Sequence, residues 1–248
     1  MTINPKNNFK ILDCTLRDGG YYNVWDFSEK LVDDYLHAMR EAKIDVVELG
    51  FRSINNDGFK GVCAFTSDEF LNKLKIGKSL SVSVMVNASE LVSSEKMNDT
   101  LKKLFPNNSK NSCVDIVRIA SHYNEFEKSL PASEWLSKNG YKVMYNLMQI
   151  SDRKDSEIIN VLKKASNFPI DVFYFADSTG TINNQEISRI INLVKKNWDR
   201  SIGCHTHDNL GLALSNTITA VNLGANWVDS TVLGMGRGPG NTKTELLV

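Results

Sequence analysis

Short apolar runs rich in β-branched and aromatic residues recur along the chain, separated by longer stretches whose apolar positions return at helical spacing. Eight runs read as strands: Phe9–Cys14, Asp45–Phe51, Leu80–Asn87, Val114–Ala120, Tyr141–Ile150, Ile170–Ala176, Ser201–Thr206 and Trp227–Val232. The clearest helices between them are Ser28–Ala42, with Ser28 as N-cap, Asp155–Ser166, Asn184–Asn197 and Asn209–Leu223, the last ending at Gly224, which suits a helix C-cap. Nearly continuous apolar strands alternating with helices imply an α/β fold with a parallel sheet covered on both faces. Eight such units in 248 residues match the size of a (β/α)8 TIM barrel. A doubly wound open sheet is the alternative, because periodicity alone does not show closure. After the eighth strand only Asn241–Val248 remain, so the eighth helix is expected to be short or the chain to be cut from a longer one. No linker divides residues 1–248, which read as a single domain.

Composition narrows the partners. The 29 basic and 29 acidic side chains cancel without a basic cluster, which removes the electrostatic footprint of a nucleic-acid binder. No apolar run approaches the roughly 20 residues of a membrane span. The first residues, MTINPKNNFK, carry no apolar signal region, and Cys14, Cys63, Cys113 and Cys204 lie far apart with no C-x-x-C pair. A cytoplasmic protein with reduced, buried thiols is expected, as a monomer or a homo-oligomer. The polar stretch Asn107–Ser112 reads as a solvated loop.

In a barrel of this kind the chemistry sits at the carboxyl ends of the strands. The polar residues expected there are Arg17 and Asp18 after the first strand, Glu48 in the second, Arg118 and His122 at the fourth, Asp177 and Ser178 after the sixth, and His205 and His207 at the seventh. His205 and His207 are two apart, so on an extended strand both imidazoles project from one face. With Asp18 they make an N2O ligand set for a divalent cation that leaves positions open for water or substrate. Such an ion keeps a net charge of about +1 after one carboxylate, and Arg17 adds another, so the site should attract an anion and stabilise an enolate. Arg17 can also serve as an ion-pair partner of Glu48 or Asp18. A Schiff-base aldolase is disfavoured because no lysine lies at a strand's carboxyl end. G-x-S-x-G is absent, and Gly234–Gly240 does not fit G-x-G-x-x-G, leaving only a weak case for a phosphate loop.

Five segments, LDCTLRDGG (12–20), VVELGF (46–51), FADSTG (175–180), HTHDNLGLALSN (205–216) and GMGRGPGN (234–241), together resemble the DRE-TIM metallolyases, the HMGL-like superfamily. Within it the chain looks most like the 4-hydroxy-2-oxovalerate aldolase-like proteins. The resemblance implies Asp18, His205 and His207 as metal ligands, with Asn241 near the ion. It implies Arg17 as the enolate-stabilising residue and Ser178 close to the substrate carboxylate; Glu48, expected at the end of the second strand, is counted with Arg17 and Ser178 as substrate-binding. It also implies one divalent ion, Mn2+ or Mg2+ before Zn2+ or Co2+, acting as a Lewis acid while a small anionic 2-oxo acid is cleaved or formed through a pyruvate-type enolate.

Two features depart from that pattern. The aldolases carry a catalytic histidine one residue after TLRDG-G, where this chain has Tyr21-Tyr22, and the coenzyme A lyases carry a cysteine in the glycine-rich loop, where this chain has none. The base is therefore open among Tyr21, His122 and a metal-bound water or substrate group. An acyl-CoA-dependent condensing enzyme of the isopropylmalate or citramalate synthase type and a non-catalytic metal-bound barrel are the competing functions. Loop Asn55–Phe65 is the candidate for gripping the second half of the substrate.

Overall fold

The computed structural model describes residues 2–4, 7–94 and 96–248. Eight parallel strands close on themselves in sequence order: β1 (Lys10–Asp13), β2 (Val46–Phe51), β3 (Ser81–Asn87), β4 (Ile116–Ser121), β5 (Lys142–Leu147), β6 (Val172–Ala176), β7 (Ser201–His205) and β8 (Trp227–Ser230). Pairing of β1 with β8, with Leu12 opposite Asp229, completes the ring and excludes the open sheet. The TIM barrel read from the pattern is the fold.

Alternation along each strand divides the interior from the outer core. Leu12, Val46, Ile116, Met144, Val172, Tyr174 and Trp227 form an apolar plug in the barrel. Two residues further along, the same inward face carries Glu48, Arg118, Asn146, Ala176 and Asp229, so the interior turns polar toward the carboxyl ends. The outward set, including Val47, Leu49, Val117, Ile119 and Phe173, packs beneath the helices.

Three predicted boundaries shift. The helix expected from Asn209 begins at Ala213, because Gly211 adopts φ +67° and Asp208 Oδ1 accepts the Ala213 N–H at 2.9 Å. β5 stops at Leu147, since Gln149 is left-handed (φ 55°) and a 3-10 turn, Ile150–Asp152, follows. In place of an eighth α-helix there is one 3-10 turn, Thr244–Leu246, tied to the barrel by Thr244 Oγ1, which donates to Asp13 Oδ2 (2.5 Å) and is hydrogen-bonded to Ser230 Oγ at 2.8 Å. Ser28 caps its helix as expected, accepting from the Leu31 N–H. The 107–112 stretch is less solvated than predicted: Asn107 and Ser112 both donate to Asp68, the ion-pair partner of Arg52. Cys14, Cys63 and Cys204 are buried, whereas Cys113 is half-exposed. Among the described residues, no helix is long and apolar enough to cross a membrane.

Candidate active site and metal centre

β1 runs directly into a helical turn, Thr15–Gly19, which carries Arg17 and Asp18 inward over the barrel mouth. β7 ends at His205, and His207 continues the extended register through an isolated bridge to Asn241. Thr206, between them, points the other way and bonds to Thr217 and Thr242. The period-two argument holds, and Asp18, His205 and His207 share one cavity of about 70 Å³ with Arg17, Tyr21 and Ser178.

The three candidate ligands fit a divalent ion. His205 Nε2 and His207 Nε2 are 3.2 Å apart and lie 3.8 and 4.0 Å from Asp18 Oδ2. The point equidistant from these atoms is about 2.1 Å from each, the length of a bond from nitrogen or oxygen to Zn2+ or Mg2+. Each imidazole uses its other nitrogen: Nδ1–H of His205 donates to Asp229 Oδ2 (2.8 Å), and Nδ1–H of His207 to the Asp177 carbonyl (2.7 Å). That fixes the tautomers and leaves both Nε2 lone pairs directed to the shared point. Burial, then the neighbouring His205, pushes the His207 pKa down to about 4, which keeps the ring neutral at pH 7. Although burial opposes it, the Arg17 guanidinium, followed by His205, holds Asp18 below the usual carboxylate range.

Asn241 lies against Asp18. Its Nδ2 donates to Asp18 Oδ2 (2.5 Å) and the Met235 carbonyl (3.2 Å), while its buried Oδ1 has no partner among the described residues. A Cβ on Gly236 would fall 2.2 Å from Asn241 Nδ2 and 2.7 Å from Asp18 Oδ2. The glycine-rich loop is therefore glycine at this point so that its backbone can close on the ligand set, and no phosphate role is needed to explain it.

Arg17 is held rather than free. Its Nε donates to Glu48 Oε1 (2.8 Å) and its Nη1 to Asp18 Oδ1 (2.7 Å), while Nη2, also buried, has no partner among the described residues. Glu48 also accepts from Arg118 through Nε (2.8 Å) and Nη2 (2.5 Å), and Arg118 Nη1 reaches Asp229 Oδ2 (2.6 Å). A continuous buried chain, Arg17–Glu48–Arg118–Asp229–His205, thus joins the enolate-stabilising candidate to a metal-ligand candidate. Burial opposes ionisation of Asp229, but Arg118 and the His205 hydrogen bond hold it at about 2. Arg17, Arg118, Asp18, Glu48 and Asp229 together carry a net charge of −1, so a divalent ion brings the centre to about +1. Arg17 is already neutralised, and the charge next to the ion is smaller than the sequence reading expected.

Two predicted residues lie elsewhere. Glu48 is completely buried, and both its oxygens are taken by Arg17, Arg118 and Ser83, so it supports Arg17 instead of lining the cavity. His122 sits before the helix Tyr123–Ser129, bonds Gln149 through Nδ1 (3.0 Å) and lines a separate hollow with Arg153. Tyr21 and Ser178 do line the cavity, and Ser178 Oγ accepts the Gln149 N–H at 3.1 Å, which leaves its hydroxyl proton to donate. The sequence reading missed the roles of Arg118, Asp229, Asn146 and Arg237. Asp229 and Asn146 each stand two residues after a buried Trp227 or Met144, the same alternation that pointed to His207.

Comparison with known proteins follows the same lines. The HMGL-like family description matches residues 8–248. A 4-hydroxy-2-oxovalerate aldolase of Geobacillus genomosp. 3 is 29% identical over 252 residues, covering 98% of this chain and 70% of that protein. An oxaloacetate decarboxylase of Mycobacterium tuberculosis is 27% identical, covering 96% and 68%. Among solved structures, the N-terminal domain of a proposed aldolase from Bacteroides vulgatus superposes with a TM-score of 0.83 at 34% identity, covering 96% of this chain and 78% of that one. The HMG-CoA lyase of Bacillus subtilis shares the fold, at 13% identity and a TM-score of 0.75, covering 100% of this chain and 86% of that one.

Proposed function

The chain belongs to the HMGL-like family, and from that premise we propose that it is a divalent-metal-dependent carbon–carbon lyase, an aldolase working through the pyruvate-type enolate of a 2-oxo acid. The observation that carries this reading is the triangle of Asp18, His205 and His207 beside an Arg17 with one unpartnered guanidinium nitrogen. Asp18, His205 and His207 would hold the ion, with Asn241 next to it. Bound there, Mn2+ or Mg2+ would act as a Lewis acid toward the 2-oxo group, and two imidazoles also suit Zn2+ or Co2+.

The chain's own residues supply the rest. Arg17 Nη2 donates to the oxygen on which negative charge develops, from a fork already fixed by Glu48 and Asp18, so little reorganisation is needed. Ser178 donates a hydrogen bond from its hydroxyl to the substrate carboxylate. In cleavage the C4 hydroxyl loses its proton, the C3–C4 bond breaks, the aldehyde leaves, and C3 is protonated to give the methyl group of pyruvate. Tyr21, whose hydroxyl has no partner among the described residues, carries the proton; His122 is set aside by its separate hollow.

Among the described residues no imidazole lines the cavity besides the two candidate ligands, which favours one second reading, decarboxylation of a 3-carboxy-2-oxo acid. That reaction reaches the same enolate without removing a hydroxyl proton. Metal-loaded protein incubated with pyruvate in D2O should exchange the methyl protons, followed by NMR, and elemental analysis should find metal that is lost in His207→Ala. No exchange with metal bound refutes the lyase reading, and undiminished metal in the variant refutes the ligand set. Loss of oxaloacetate without any aldehyde condensation selects the decarboxylase.

A further inference from the structure

A second hollow, of about 220 Å³, adjoins the active-site cavity and shares Tyr21, Phe51 and Asn87 with it. It is about three times larger than the cavity of about 70 Å³ that holds the candidate ligands. Its wall is aromatic: the Tyr21 and Trp25 rings meet edge to face at 4.9 Å and Trp25 meets Phe51 at 5.6 Å. The indole N–H is spent on the Arg17 carbonyl (2.8 Å), so Trp25 offers hydrocarbon to the hollow. Trp25 lies so close to the chain that a Cβ on Gly20 would sit 2.0 Å from its ring, which fixes the wall in place. Ser53, Lys60 and Ala64, from the loop after β2, complete the lining with Asn87, and the Lys60 ammonium already donates to the Asn55 carbonyl at 3.1 Å. By contrast, the polar hollow about His122, Gln149 and Arg153 shares only Met148 with the active-site cavity.

We propose that this aromatic hollow is the acceptor subsite, and that it takes an aldehyde bearing an apolar chain or ring of four or more carbons. The proposal rests on the aldolase reading and names the half of the substrate which that reading leaves open. A two-carbon aldehyde would leave much of the hollow to water, about 30 Å³ per molecule, against the Trp25 and Phe51 rings, which offer it no hydrogen bond. A ring or longer chain displaces that water and meets the aromatic edges. In the condensing direction, pyruvate C3 loses a proton, the new bond joins C3 to the aldehyde carbon, and the aldehyde oxygen gains a proton to become the C4 hydroxyl. No oxidant or reductant takes part.

The test uses the Mn2+-loaded protein with pyruvate and either acetaldehyde, hexanal or phenylacetaldehyde. Hexanal or phenylacetaldehyde should be condensed with kcat/KM at least about tenfold above acetaldehyde, the size of effect that filling an apolar pocket gives. Ser53→Phe, which fills the hollow from its edge, should bring that ratio to one or below; as a ratio within one preparation it is insensitive to changes in enolate formation. Pyruvate exchange together with a wild-type preference for acetaldehyde overturns the subsite and leaves the lyase reading standing. A ratio unchanged in Ser53→Phe also overturns it. Absence of pyruvate exchange overturns both.

Discussion

Glu48, Arg118 and Asp229, in the layer beneath the cavity that serves as its floor, are at most 1% exposed, and each bonds at least two side chains that are charged or are candidate metal ligands. Tyr21, at the rim, is 45% exposed, meets the Trp25 and Phe51 rings edge to face, and has the guanidinium of Arg237 6.0 Å from its ring centre. In the floor, charges removed from water are tolerable only because each finds its partner, so the loss of one strands another. At the rim, solvent screens what the groups do to each other, and a side chain can change without stranding anything. On the proposed reading the enolate chemistry rests on the floor and the choice of substrate on the rim, where Tyr21 stands at the position for which the resemblance implied a histidine.

The floor is tested hardest by Arg118→Ala, which takes from buried Glu48 two hydrogen bonds and from buried Asp229 its ion-pair partner. Urea unfolding should show a loss of about 3–5 kcal/mol; a loss under about 1 kcal/mol would put the network on the footing of a surface pair. Arg17→Lys comes next. An ammonium is a compact point charge without the planar fork that spans Glu48, Asp18 and the substrate at once, so turnover should fall about 10²–10³-fold with metal content unchanged. Near-normal turnover would make Arg17 a structural ion pair only.

Tyr21→Phe carries the comparison to the rim. If the phenol moves the proton, cleavage should slow by about 10²-fold while the metal stays bound, and full activity in both cleavage and pyruvate exchange would reduce Tyr21 to an aromatic wall. Asp229→Asn returns to the floor with a smaller effect: the His205 tautomer loses its anionic partner, and Mn2+ affinity by isothermal titration should drop about 10–100-fold. Unaltered affinity would show that the Asp229 contact does not orient the ligand. His122→Ala should change neither exchange nor cleavage, and a loss of either would return the base to the hollow lined by Arg153.

Local pattern was sufficient for much of this protein. Period-two and period-3.6 hydrophobicity marked eight strands and the main helices, because an inward or outward side chain has to repeat with the geometry of its element. The same rule placed His205 and His207 on one face, and short motifs singled out Arg17, Asp18 and Ser178. Only closure of the barrel decided which strand ends meet: it set Asp18 of β1's following turn against the two imidazoles after β7, and it paired Arg118 of β4 with Glu48 of β2 and Asp229 of β8. Those partners lie on different strands, so no spacing along the chain encodes their distance. Loop positions were likewise settled by contact. Left-handed Gln149 helps keep His122 outside the cavity, the close approach of Gly236 seats Asn241, and the bonds from Thr244 to Asp13 and Ser230 stand where a last helix was expected. Periodicity reports which way a residue faces, and the three-dimensional register of the strands reports what it faces.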